Sequence, residues 1–392
     1  MEVVLKEVLD CLDHALKNKS YDYALTDEIA FFQIVQENGL SALIHQAINP
    51  SKISKTLYQS LEREFLVYLA ADTKQLEVME HLKHIFNHAD IPFIFLKGSM
   101  MKALYPASYL RGMGDIDILI HSEDMEKAHI VLANHQIYCK QKSKQHDLFL
   151  TKDNIIIEVH PGLYKDFNTK FEKLFSNPWQ YTNKLMLMQY QFDATFEIVY
   201  LVYHLAKHME SSGIGLRSIL DLGIYLKNHE AELNETRLES FLDQANMKTF
   251  YITMIEMTRT FFHFNFQLAI HHISVLSDDE KDDLLTYISS SGLHGHGRRF
   301  NTFEARAASY HLRNKTRFQM MIDIVFPNYE TMLGIYPWIK KAKILIIIAW
   351  LIRWIEMLTK KRKSSLIKLK KLNINKKQLN QLERLFTKIG LH

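Results

Sequence analysis

The sequence predicts an α+β fold that is predominantly helical, with a small mixed sheet embedded between helical segments. Apolar residues recur at three- and four-residue spacing over most of the chain, and only 13 glycines and seven prolines interrupt 392 residues. Between about 91 and 163 that period gives way to short, continuous apolar runs bounded by turn residues, the mark of buried strands. A hydrophobic content of 47% supplies enough apolar surface for the cores of two or three domains.

Residues 1–90 read as an N-terminal helical region, with Val4, Leu5, Val8, Leu9 and Leu12 on one face and Leu61, Phe65, Leu66 and Leu69 on a later one. The run 92–96 is a buried strand feeding the turn Lys97-Gly98-Ser99, and 100–104 is a short helix stopped near Pro106. A second strand covers 115–120. Ser122 opens a helix with an acidic first turn that continues to about 134. Strands at 137–139, 147–150 and 155–160 follow, the last two joined as a hairpin by Lys152-Asp153-Asn154. These elements make 91–165 the α/β core. Helices return from about 167, clearest over 196–208 and 216–227, so 166–335 is expected to form a helical domain closing over that core. Residues 336–392 hold a hydrophobic helix and a basic tail.

The net charge of +4 hides an asymmetry. Residues 340–392 carry 15 Lys and Arg against Glu356 and Glu383, whereas 1–339 carry 33 basic and 42 acidic residues. The tail 340–392 is therefore where an anionic surface is to be met, lipid in preference to nucleic acid. The apolar run 344–352 ends too soon, at Arg353 and Glu356, to span a bilayer, which needs ~20 apolar residues. It reads either as a buried core helix or as an interfacial one using Trp350, Trp354 and the flanking lysines. Cys11 and Cys139 fit no disulfide or metal spacing, which suits a reducing compartment. Acid appears early at the N-terminus without a sustained apolar stretch, so no signal peptide is expected. The expected location is cytoplasmic, with a peripheral position at the inner face of the membrane.

The chemistry concentrates in the strands. Asp115 and Asp117 alternate with Ile116 and Ile118, so both carboxylates project from one face. Carboxylates so close repel each other unless a cation lies between them. Mg²⁺, with Mn²⁺ as second choice, suits hard oxygen ligands whose set is completed by substrate phosphates. Glu158 is a lone acid in the β-branched run 155–159, costly to bury unless paired or metal-bound, and is the preferred third ligand. Asp147 and Asp153 are its rivals, Asp153 reading as turn. Gly98 lets the backbone approach phosphates, and Ser99 offers its hydroxyl and N–H at a helix start. Lys97 and Arg111 add positive charge; the plainer readings are a solvated strand end and a loop anchor for Asp115.

The pattern Gly98-Ser99, Asp115-Ile116-Asp117 and Glu158 resembles the nucleotidyltransferase fold of the polymerase-beta superfamily. The longer string Leu96-Lys97-Gly98, Leu104-Tyr105-Pro106, Arg111-Gly112-Met113-Gly114-Asp115-Ile116-Asp117 is similar to one branch, the largely uncharacterised bacterial nucleotidyltransferases of the NTP-transferase-5 type. Glu158-Val159-His160, His204, Lys207-His208, Gly213-Ile214-Gly215-Leu216-Arg217 and Asp221 resemble the same branch. The likeness spans roughly 30–350 and leaves the last 35 residues outside it. It implies that Asp115, Asp117 and Glu158 are catalytic and bind Mg²⁺. It also implies that Lys97, Gly98, Ser99, Arg111, His204, Lys207, His208 and Arg217 face the nucleotide.

Several of these have structural alternatives. His204 and His208 stand four apart but lack the glutamate of a zinc-protease helix, leaving substrate contact or helix packing. Arg217 and Asp221 have the spacing of an intrahelical ion pair. His294 and His296, flanked by glycines, fit a substrate loop or an ordinary one. The activity implied is transfer of a nucleoside monophosphate from an NTP, ATP foremost, to a hydroxyl of a small-molecule, sugar, peptide or protein acceptor. A catalytically silent nucleotide-binding or interaction module, such as a toxin–antitoxin partner, and a membrane-surface adaptor are the other classes. A nucleic-acid acceptor is disfavoured by the acidic body and the lack of an aromatic-basic stripe.

Overall fold

The computed structural model describes residues 2–143, 145–163, 174–267, 275–295, 297, 302–312, 316–359 and 376–391. The N-terminal region is helical, as its periodicity predicts: Glu2–Leu16, Glu28–Glu37, Ser41–Ala47 and the 34-residue Lys55–His88. Side chains fix two of the starts. Asp27 accepts from the N–H groups of Ile29 and Ala30, and Ser54 from that of Leu57, satisfying amides that have no partner within the helix.

Seven strands follow: β1 (Phe93–Phe95), β2 (Asp115–Ile120), β3 (Tyr138–Gln141), β4 (Asp147–Leu150), β5 (Ile156–His160), β6 (Thr182–Met186) and β7 (Gln189–Phe192). They form one sheet in the order β3-β4-β5-β2-β1-β7-β6. β2 runs parallel to β5 and β1 to β7; the other neighbours are antiparallel, so the sheet is mixed. The first five strands lie where the apolar runs put them, including the β4–β5 hairpin. β6 and β7 fall in the stretch from about 167 onward where the sequence reads as helix, and correct that reading. They make a polar edge hairpin in which only Phe192 is buried, so no apolar run announces it. It docks on the sheet through the Phe93 N–H, which donates to the Met188 carbonyl at 2.9 Å.

Alternation along β2 splits the interior in two. Ile116, Ile118 and Ile120 pack with Phe93, Phe95, Ile157 and Val159 beneath Lys55–His88 and Met125–Asn134, through Leu82, Phe86, Ala128 and Leu132. Ile94, Leu96 and Leu119 face the other way, into a larger core built with the helices that follow the sheet. The carboxylates of β2 lie on this second side.

Those later helices include Ala194–Ser211, Leu216–His229, Glu235–Gln244, Lys248–Phe262, Asp278–Ser291 and Arg317–Val325. The apolar run 344–352 becomes the helix Ile346–Leu358, but Ala349 is its one fully buried side chain among the described residues. Ile347, Ile348, Leu351 and Ile355 are exposed, which overturns the buried-core alternative. No helix among the described residues is long and apolar enough to cross a membrane. His296, the His294 side chain and the tail stretch 360–375 lie outside the described residues.

Candidate active site

β2 and β5 run side by side with Asp117 opposite Glu158 and Asp115 opposite Ile156. Because the pleat alternates, Asp115, Asp117 and Glu158 leave the same face. One oxygen from each lies within 4.8 Å of the others. The chain entering from β1 is locked to this strand, the Leu96 N–H donating to the Asp117 carbonyl at 3.0 Å. Lys97 then adopts φ 46° and ψ −113°, a conformation that costs a non-glycine residue about 1–3 kcal/mol. That turn brings Lys97 Nζ to 2.8 Å from Asp117 Oδ1 and begins the short helix Gly98–Met101. A Cβ at 98 would lie 2.6 Å from Arg111 Nη1 and 3.1 Å from Met113 Cγ, so a larger residue there would have to displace both side chains.

The three acids line a cavity of about 410 Å³. Ala194–Ser211 contributes Tyr200, His204, Lys207 and His208 to its wall, and Leu216–His229 contributes Arg217 and Asp221. Lys97, Gly98 and Arg111 complete the set, so the sequence's candidates converge here with one exception. Ser99 is buried away from the cavity: its hydroxyl turns to Met113 Sδ at 3.5 Å, and its N–H donates to Leu96 O at 3.2 Å.

The cations are arranged differently from what their spacing suggests. Arg111 forks onto Asp221, with Nη2–Oδ2 at 2.9 Å and Nε–Oδ1 at 3.2 Å, and the Tyr105 hydroxyl donates to the same Oδ1 at 2.8 Å. Arg111 is thus anchored by Asp221 rather than Asp115, and Asp221 is withdrawn from Arg217 four residues earlier. Arg217 is only 9% exposed, and its guanidinium makes no hydrogen bond or ion pair among the described residues. Burial and the neighbouring Arg111 both lower its pKa. His204 and His208 face each other with their Nε2 atoms 3.1 Å apart, a hydrogen bond that requires one ring to be neutral.

The acids divide into unlike environments. Burial works against the Asp117 charge, but Lys97, the hydrogen bond from His160 Nε2 at 2.8 Å and the His160 charge hold its carboxyl well below the usual range. Burial, then Asp117, then Glu158 push Asp115 up to about 6. Glu158 is lowered: burial opposes ionisation, but His160 and His146 outweigh it. Three hard-oxygen donors converging on one face, one of them strained by its like-charged neighbours, form a donor set that fits a hard divalent cation.

His160 and His146 are the residues that sequence reasoning left without a role. His160 is two positions from Glu158 on the same strand face, so its presence beside the acids follows from the pleat. His146 Nε2 reaches Glu158 Oε1 at 3.4 Å from the loop before β4, and no local pattern signals it. Asp147, the rival third acid, pairs instead with His129 Nε2 at 2.7 Å and accepts from the Ser143 N–H at 3.0 Å. It lies beside Val159 in register, one position out of phase with Glu158, and is absent from the cavity wall.

Residues 26–263 match a family described as uncharacterised nucleotidyltransferases. No curated protein matches the chain. Among solved structures it is similar to the antibiotic-resistance factor ANT(2'')-Ia, whose solution structure is described as revealing substrate-regulated conformation dynamics. The identity there is 11% and the TM-score 0.34, over 47% of this chain and 97% of that one.

Proposed function

The chain belongs to this family of uncharacterised nucleotidyltransferases, and from that premise we propose that it transfers a nucleoside monophosphate from an NTP, with ATP the first candidate. The acceptor is a hydroxyl on a small molecule, sugar, peptide or protein side chain. The observation that carries the reading is the in-register pair Asp117 and Glu158, with Asp115 beside them, in one cavity with the buried Arg217. The acceptor oxygen bonds to the α-phosphorus, the α–β bridging bond breaks, and pyrophosphate leaves.

In this reading Asp115, Asp117 and Glu158 hold Mg²⁺, with Mn²⁺ as the alternative that carboxylate oxygens also suit. When bound, the ion neutralises charge on the phosphate oxygens and acidifies the attacking hydroxyl. Glu158, whose carboxyl stays ionised at neutral pH, accepts the proton of the acceptor hydroxyl. The bare Cα of Gly98 lets Arg111 Nη1 lie against the main chain at the cavity wall, where the guanidinium meets phosphate oxygens. Arg217 supplies a planar donor fork for the same oxygens. Lys207, His204 and His208 contact nucleotide or acceptor from the helix Ala194–Ser211 at the cavity wall. Ser99 acts through the turn it stabilises, its N–H held by the Leu96 carbonyl. The working location is the cytoplasm, with 340–392 meeting an anionic lipid surface.

The test is a screen of labelled NTPs against host metabolite and protein extracts, reading which molecule acquires label. Asp115→Ala with Asp117→Ala should abolish pyrophosphate release while the circular dichroism spectrum is unchanged; undiminished turnover refutes the assignment. One observation favours a second reading, a silent nucleotide-binding module: Asp117 is already satisfied by Lys97 and His160. Calorimetric binding of Mg²⁺–ATP without labelling of any extract would support that reading.

A further inference from the structure

The helix Ile346–Leu358 is built inside out. Its polar groups turn toward the protein: Arg353 donates to the Ile324 carbonyl at 3.2 Å, Glu356 accepts from the Tyr336 hydroxyl at 2.8 Å, and the indole N–H groups of Trp350 and Trp354 donate to Pro327 O and Val325 O, both at 2.9 Å. The face left to solvent is wholly apolar. Ile344, just ahead of the helix, is 71% exposed, and Ile347, Ile348, Leu351 and Ile355 are 49%, 48%, 50% and 60% exposed. Their spacing of three or four residues makes a single stripe. A contiguous exposed apolar stripe marks a surface that meets a membrane or a partner, and only one side of this helix is covered by the protein.

Length and charge select the occupant. Thirteen residues reach about 20 Å, short of the ~30 Å hydrocarbon core, so the helix can lie in a bilayer surface but not cross it. The exposed Lys340, Lys341 and Lys343 precede the stripe, and seven further Lys and Arg follow between 360 and 371 in the sequence. A second copy of the chain would bring one cluster of positive charge against another. An anionic lipid surface accepts both the apolar stripe and the flanking lysines.

We infer that the helix Ile346–Leu358 docks in the interface of an anionic bilayer, its stripe Ile344, Ile347, Ile348, Leu351 and Ile355 among the acyl chains and the flanking lysines at the headgroups. The inference builds on the reading that 340–392 meets an anionic surface and is independent of nucleotidyl transfer. Full-length protein is co-sedimented with phosphatidylglycerol-containing and pure phosphatidylcholine vesicles at low and high salt. Quenching of tryptophan fluorescence by brominated lipid reads the depth of Trp350 and Trp354.

Wild type should bind the anionic vesicles about tenfold or more tightly than the neutral ones and show quenching. Ile347→Glu with Leu351→Glu alters two exposed positions. It should lose binding at least tenfold and lose the quenching, with circular dichroism and pyrophosphate release unchanged. Equal, salt-sensitive binding by this variant without quenching overturns the inference and leaves the basic segment as the sole contact. A dimer in sedimentation without lipid that the variant abolishes assigns the stripe to a second copy, also overturning it. Absence of binding to either vesicle defeats both the inference and the anionic-surface reading, whereas absence of label transfer with vesicle binding intact defeats only the proposed enzyme activity.

Discussion

The metal-free protein should become more stable when the residue proposed as its first metal ligand is neutralised. Burial, Asp117 and Glu158 raise the Asp115 carboxyl from an ordinary 3.8 to about 6. At 1.36 kcal/mol per tenfold change in proton affinity, ionising it in the folded protein costs about 3 kcal/mol. The sign follows from the direction. A carboxyl whose folded pKa is raised favours the folded state most below about pH 4, and that advantage is lost as pH rises through 6. Asp115→Asn keeps the shape and removes the charge. In EDTA at pH 8 the variant should therefore melt higher than wild type, and the difference should vanish near pH 4. With an unfolding entropy of about 2.1 cal/mol/K per residue over 392 residues, about 3 kcal/mol corresponds to about 4 °C. Mg²⁺ should reverse the order by stabilising wild type alone. The assay is thermal denaturation of both proteins from pH 4 to 8, in EDTA and in excess Mg²⁺. A variant less stable than wild type in EDTA at pH 8, or equal stabilisation of both by Mg²⁺, refutes the three-acid metal site.

Two other side chains give equally direct tests. Arg217→Met should raise KM for the NTP about ten- to hundredfold, the equivalent of one charged hydrogen-bonding group, while raising the melting temperature of the nucleotide-free protein, because it removes a charge that burial and Arg111 disfavour; an unchanged KM removes Arg217 from the nucleotide site. Glu197 is 5% exposed, its Oε1 has no hydrogen-bond partner, and burial followed by Asp193 raises its pKa from 4.5 to about 8. Glu197→Gln should match wild type below about pH 4.5 and gain on it as pH rises, by about 3 kcal/mol at pH 7 and about 5 kcal/mol once pH exceeds 8. Urea denaturation at pH 5 and pH 8.5 checks this, and a pH-independent difference contradicts it.

What the sequence conveyed, and what it did not, divides by range. The alternation of Asp115-Ile116-Asp117-Ile118 and the isolation of Glu158 among isoleucines are local patterns, and periodicity alone puts the three acids on one face. Strand pairing then brings Asp117 opposite Glu158, 41 positions on, which no local pattern shows. The hairpin of β6 and β7 is illegible because its two strands, at the edge and next to it, bury almost no side chain that would impose a period. The pairing of the cations is illegible for a related reason. Arg217 and Asp221 carry a helical ion-pair spacing worth only about 0.2–0.5 kcal/mol, and a bidentate guanidinium arriving from Arg111, with Tyr105 behind it, outweighs that. This contest has a consequence for the site. Had the local pair formed, Arg217 would be neutralised within its own helix and Arg111 would stand alone above Gly98. Because the distant pair wins, Arg111 is fixed beside Gly98 by Asp221, and Arg217 lies buried in the same cavity as a cation with no carboxylate in contact. Burial and Arg111 disfavour its charge in the nucleotide-free protein more than Asp221 favours it, so in the proposed reading an arriving polyphosphate would relieve that cost.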